Sequence, residues 1–210
     1  MRMNRLGGAI GAALSCLTIL SGCQGLMARG DDLKLSQAIE AIRQAQAGGE
    51  VGSVGGSLFL SLTGVFAPLQ DWPVQLVPLT PTLEGAIRNA HEAYRRNERR
   101  PLSATELSLV RRSIGRHIAQ LQRTGNQGLI LTVKTNKTDE PAFTFTQVPQ
   151  GRWLLLSHLT SEASLLLWAV PVTVRAGQES RQTLNDQTIW LEGFLSPTDR
   201  DAQPSGGRQP

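Results

Sequence analysis

Thiols and aromatic rings are few in this 210-residue chain: two cysteines, one tyrosine, five phenylalanines and four tryptophans. Both cysteines, Cys16 and Cys23, stand near the start, so beyond residue 23 no thiol is available for a disulfide framework, a thiolate metal site or a cysteine nucleophile. Charge is sparse as well. Twenty-one Lys and Arg against seventeen Asp and Glu leave a formal +4, too mild an excess to argue for nucleic acid as a partner. No apolar run is long enough to span a bilayer comfortably, the longest being residues 9–20. Catalytic motifs are missing too. His91-Glu92 begins like a zinc-protease motif, but Arg95 stands where the second histidine ligand belongs. The other histidines, His117 and His158, fall on separate expected elements, and neither a Gly-x-Ser-x-Gly elbow nor a phosphate loop occurs. The expectation is a non-enzymatic protein without metal or cofactor.

What is present begins with an address. Arg2 and Arg5 precede the apolar stretch, and Leu20-Ser21-Gly22-Cys23 closes it. The segment resembles the export signal and lipobox of bacterial lipoproteins. That resemblance implies removal of residues 1–22, a diacylated thiol on Cys23 and an acylated amine beside it. Each buried acyl methylene contributes about 0.8 kcal/mol, so a triacylated cysteine would be an effectively permanent membrane anchor. Gln24 stands where lipoproteins retained at the inner membrane typically carry Asp, which points to the outer membrane and a periplasm-facing body. Cleavage would remove two basic residues and no acidic ones, leaving a mature charge of +2.

Residues 23–54 are expected to form a lipidated linker with one short amphipathic helix. Leu35, Ala38, Ile39 and Ile42 recur at helix spacing, and Gly48 and Gly49 should stop the helix after Ala47. Gly52, Gly55 and Gly56 then read as a flexible approach to a β-domain over 55–195. Alternation in residues 57–62, before the breakers Gly64 and Pro68, predicts a first strand. Val74, Leu76 and Leu79 predict a second. A helical hairpin follows over 80–125. Thr80 caps its first helix with Pro81 in the first turn, and Ser103 with Glu106 has capping-box spacing at the second. Pro101 separates the two. Further strands are expected at 129–135, 142–146, 152–159, 165–174 and 182–191. The turn Val148-Pro149-Gln150-Gly151 should pair the strands on either side of it as a hairpin. Residues 196–210 have the composition of a disordered tail.

Three pieces resemble the carboxypeptidase regulatory-like domains: the segment from Gly55 to Pro78, the pattern Phe143-x-Phe145-x-x-Val148-Pro149-x-Gly151-x-Trp153-x-Leu155, and Trp168-x-x-Pro171-Val172-x-Val174-x-x-Gly177. The resemblance implies a mainly β, prealbumin-like antiparallel β-sandwich, here with an inserted α-helical hairpin and an N-terminal helix. The insert lies between the second and third expected strands, and 135–141 lacks the family's aspartate-glycine turn. In carboxypeptidases this domain packs against a catalytic domain, and none is expected here.

The helical insert concentrates charge. Arg88, Arg95, Arg96, Arg99, Arg100, Arg111, Arg112, Arg116 and Arg123 face only Glu84, Glu92, Glu98 and Glu106, a formal +5 that leaves −3 on the rest of the mature chain. Every base is Arg, whose planar fork pairs carboxylates or phosphates through two hydrogen bonds. The first eight are the candidate interaction surface for an envelope protein partner. Helix-spaced Arg88–Glu92 and Glu92–Arg96 pairs are the blander use of these charges. Among the tryptophans, Trp72 and Trp153 are the candidates for stacking on a glycan, the alternative to filling the core. Partners expected are thus the membrane through the lipid on Cys23 and an envelope protein, with a glycan as the competing class.

Overall fold

The computed structural model describes residues 33–62, 65–161 and 163–195. The expected signal peptide, the lipid-bearing Cys23, the tail 196–210 and the breaker Gly64 lie outside the described residues. Helix α1 covers residues 33–47, and its helix-spaced Leu35, Ile39 and Ile42 are all buried. It stops where Gly49 takes φ 69°, a left-handed conformation that costs least without a Cβ. Strands β1 (Val51–Leu62), β2 (Val65–Pro68) and β3 (Pro73–Pro78) precede helices α2 (Pro81–Arg96) and α3 (Ala104–Arg123). Then come β4 (Leu131–Lys134), β5 (Ala142–Pro149), β6 (Gly151–Thr160), β7 (Ser164–Val174), β8 (Glu179–Leu184) and β9 (Leu191–Phe194).

The strands form two sheets. In the first, β1 is flanked by β5 and β8 and continues as a hairpin with β2; the second has the order β4-β3-β6-β7-β9. The fold is mainly β, as expected, and all pairs are antiparallel but one. β1 and β8 run parallel from Ser53 opposite Glu179 to Leu58 opposite Leu184, because the chain reaches β8 by crossing over from β7 in the other sheet.

Several expectations are corrected here. Gly52, Gly55 and Gly56 are not a flexible approach but lie inside β1, with strands pressed against both edges. A Cβ on Gly52 would stand 2.6 Å from the carbonyl oxygen of Gln178, and one on Gly56 would collide with that of Gln182. These glycines permit close backbone approach. The β-domain therefore begins at Val51, and α1, with its apolar face buried, belongs to the body rather than to a linker. The segment 55–78 holds three strands instead of two, since β2 intervenes, and β3 pairs with β4 and β6 rather than β1. The expected strand 182–191 divides into β8 and β9, which a short turn capped by Asn185 sends to different sheets.

Nor do β5 and β6 form a hairpin. In β5, Phe143 and Phe145 are buried while Ala142, Thr144 and Thr146 are exposed, the signature of a sheet covered on one face. In β6, residues 153–157 are buried without a break, which requires cover on both. Strands with such different demands sit in different layers, and the turn at 148–151 carries the chain between them.

Hydrogen bonds identify the cover. On the inner face, the indole N–H of Trp153 donates to Pro149 O at the end of β5 (3.0 Å), and that of Trp168 donates to Asn185 O just past β8 (2.9 Å). On the outer face, His117 Nε2 of α3 donates to Pro78 O at the end of β3 (2.8 Å), and Arg152 of β6 forks onto Glu84 of α2 (2.7 Å twice). The molecule is thus sheet, sheet, helices. α1 joins the helical layer, where Arg43 donates to Asn126 Oδ1 just beyond α3 (2.7 Å).

Candidate functional site: the arginine face of the helical layer

Local chemistry fixes both helices of the hairpin. Thr80 Oγ1 accepts from the Leu83 amide at the start of α2 (3.3 Å), and Arg95 and Arg96 in the last turn complement the negative end of the helix dipole. At α3 the capping box is complete: Ser103 N–H donates to Glu106 Oε2 (2.9 Å) and the Glu106 amide donates to Ser103 Oγ (3.4 Å). Between them Glu98 and Arg99 take positive φ (53° and 58°), with the Arg99 amide donating to Tyr94 O. The connection is then stitched to the edge strand β9. Leu102 N donates to Glu192 O (2.7 Å) and Phe194 N to Leu102 O (3.0 Å), which covers part of an otherwise open edge.

Leu83, Ile87 and Tyr94 of α2 and Leu107, Val110, His117 and Leu121 of α3 spend the apolar faces on the second sheet. The arginines are left outside. Arg88, Arg95, Arg96, Arg99, Arg100, Arg112 and Arg116 are exposed, as is Arg123. Arg111, one residue beyond buried Val110 and four beyond buried Leu107, lies on the border of the packed face and is half-buried. Neither the Arg88–Glu92 nor the Glu92–Arg96 pair forms among the described residues. Glu84 is engaged by Arg152, whose hydrogen bonds hold its carboxyl below the usual carboxylate range. Arg100 meets Glu98 at 3.7 Å with both side chains well exposed, a geometry worth little. The positive face therefore remains largely unneutralised.

At the tip of the hairpin the structure assembles a cluster that the sequence reading missed. The His91 ring stacks on Trp190 with centroids 3.9 Å apart and planes 21° from parallel. The Trp190 indole N–H is buried without a partner among the described residues. Buried Tyr94 follows on the same helix, its hydroxyl pushed up by burial and then by Glu192. His91 is three residues past Arg88 and four before Arg95, so helix spacing places it on the arginine flank. Its stacking partner is far away in sequence and left no local sign.

The tryptophan candidates separate. Trp153 is fully buried between the sheets and cannot stack on a glycan, which corrects its candidacy. Trp72 is half-buried at the start of β3 and donates its indole N–H to His158 O (3.0 Å). Among the described residues no group of three potential ligands could hold a metal ion, and no helix is long and apolar enough to cross a membrane.

No family model and no curated protein matches this chain. Among solved structures it is similar to a Pseudomonas aeruginosa protein described as a candidate carbohydrate-binding protein. Identity is 16%, with 65% of this chain and 88% of the other covered at a TM-score of 0.38. A superposition so loose says nothing of ligand or mechanism here.

Two histidines tie the helical layer to pH. Burial, then the charges of Arg95 and Arg99, hold His91 below the ordinary value of 6.5. Burial does the same to His117, with the Pro78 carbonyl opposing it. Both are neutral in the native and unfolded states above about pH 7, where they have no effect on stability. As pH falls through the unfolded value toward the lower native ones, the unfolded chain binds more protons and stability is lost. Thermal melts should show Tm falling from pH 7.5 to 5.0, and His91→Phe with His117→Gln should flatten that slope. An unaltered slope in the double variant would exclude these two residues as its source.

Proposed function

We propose that this chain is a lipid-anchored, non-enzymatic module of the cell envelope, held at the outer membrane facing the periplasm through acylated Cys23. The sheets serve as scaffold, and the tip of the hairpin holds an acidic partner protein. Two facing sheets with a helical insertion support a prealbumin-type sandwich as that scaffold. The observation that carries the partner is at the tip, where Arg95, Arg96 and Arg99 are exposed without a carboxylate among the described residues while the helices' apolar faces are spent on the sheet. Guanidinium forks left free in this way match carboxylates geometrically.

Crosslinking in envelope fractions, followed by co-purification, tests this. With Arg95→Glu plus Arg99→Glu, partner recovery should fall roughly tenfold or more, because like charges across an interface cost several kcal/mol. Unchanged partners would overturn the assignment. The anchor has its own test. Wild type should incorporate palmitate and Cys23→Ser should not.

Half-buried Trp72 supports a second reading, a carbohydrate-binding module for peptidoglycan or surface glycan. Sugar titration followed by intrinsic fluorescence should then give a response that Trp72→Phe removes.

A further inference from the structure

We infer that a second surface, the outer stripe of α3, lies against the anionic headgroups of the bilayer in which the chain is anchored. This rests on the lipid-anchored part of the proposed function and goes beyond it, because it concerns a different set of residues from the tip.

Arg112, Arg116 and Arg123 fall four and seven residues apart, on the side of α3 away from buried Leu107, Val110 and Leu121. All three are exposed, and none has a carboxylate within ion-pair reach among the described residues. The hydrogen bonds of the first two stay within the helix, from Arg112 to Ser108 O and from Arg116 to Arg112 O. α3 holds a single acidic residue, Glu106, and that one is engaged in the cap. The stripe is therefore cationic along its length, with the phosphate-matching fork repeated three times.

Two further observations make the partner a membrane. First, the described residues include three large apolar side chains that are strongly exposed, and two of them belong to this layer: Leu109, one turn before Arg112 on α3, and Leu33 at the start of α1 (55% and 64% exposed). Apolar side chains beside a row of cations suit a surface that offers phosphates above and acyl chains below. Second, the tether leads to this face. Leu35 of α1 lines a cleft with Ser113, Arg116 and His117, and Arg43 lines its continuation with Arg123 and Asn126. α1 thus runs beside α3 and parallel to it, and its first turn lies near the middle of the stripe. Only residues 24–32 separate that turn from Cys23, which limits the distance to about 35 Å even for an extended chain. A protein so short-leashed meets headgroups at high local concentration.

The test uses the acylated protein reconstituted in vesicles of phosphatidylcholine alone or with phosphatidylglycerol. An environment-sensitive fluorophore is placed through Ala119→Cys on the stripe or, as control, Thr183→Cys on β8. With phosphatidylglycerol, the label at 119 should shift to the blue and be quenched by nitroxide lipids, and both signals should fade in high salt. The label at 183 should show neither. Arg112→Glu with Arg116→Glu and Arg123→Glu should abolish the response at 119 while the protein stays on the vesicles through its acyl chains. Equal behaviour of the two labels, or a response at 119 that survives charge reversal, would overturn the inference with the anchor intact. Protein that is not acylated and leaves the vesicles would overturn the anchor itself.

Discussion

Gly56→Val is expected to cost about 3 kcal/mol or more and to leave little folded protein at 37 °C, although it alters one exposed-looking residue in a glycine-rich stretch. The reason is the position of β1, hydrogen-bonded to β5 along one edge and to β8 along the other over the same residues. At Gly56 a Cβ would run into the backbone carbonyl of Gln182 and stand 2.8 Å from the Phe143 ring. Backbone held in a sheet cannot give way as the end of a flexible side chain would. Gly115→Ala is the matched control. It lies within α3, where an added methyl would meet nothing inside 4 Å, so relief of the glycine penalty should raise stability by about 0.4–1 kcal/mol. Urea unfolding of both variants measures the contrast. A Gly56→Val protein within about 1 kcal/mol of wild type would mean that β8 does not hold that edge of β1.

The same residues show what could be read from sequence and what could not. Helix signals are local: Thr80 with Pro81, Ser103 with Glu106, and the glycine that stops α1 act within a few residues, and all do what their spacing implies. Sheet partners are not local. The turn after Val148 has hairpin chemistry, yet the strands it joins lie in different layers, because β5 has one wet face and β6 has none. Gly52, Gly55 and Gly56 have the composition of a linker; their need for close approach depends on β5 and β8, far along the chain. At the candidate site, the arginine excess of the hairpin was legible from composition, whereas the degree of exposure of each arginine was not: Arg111, on the border of the packed face, is half-buried while the others are exposed. Nothing near His91 announces Trp190.

Trp153→Ala should be the costliest truncation in the sheets, about 3–5 kcal/mol by unfolding, because it empties a fully buried indole site. It also leaves Pro149 O without its donor at the point where the chain passes from β5 to β6. Trp72→Ala, at a half-buried position, should cost clearly less. The comparison bears on recognition as much as on stability. Alternation in β6 leaves open which side of the strand is wet, and the structure's answer is neither: Trp153 faces the first sheet, while Leu154 and Leu156 lie on the face that the helices cover. A sugar could therefore reach Trp153 only by opening the sandwich. If Trp153→Ala folded with near wild-type stability, or if a sugar protected that indole from a collisional quencher, the inner face of β6 would need to be open and the first sheet could not be packed where the hydrogen bonds of Trp153 and Trp168 hold it.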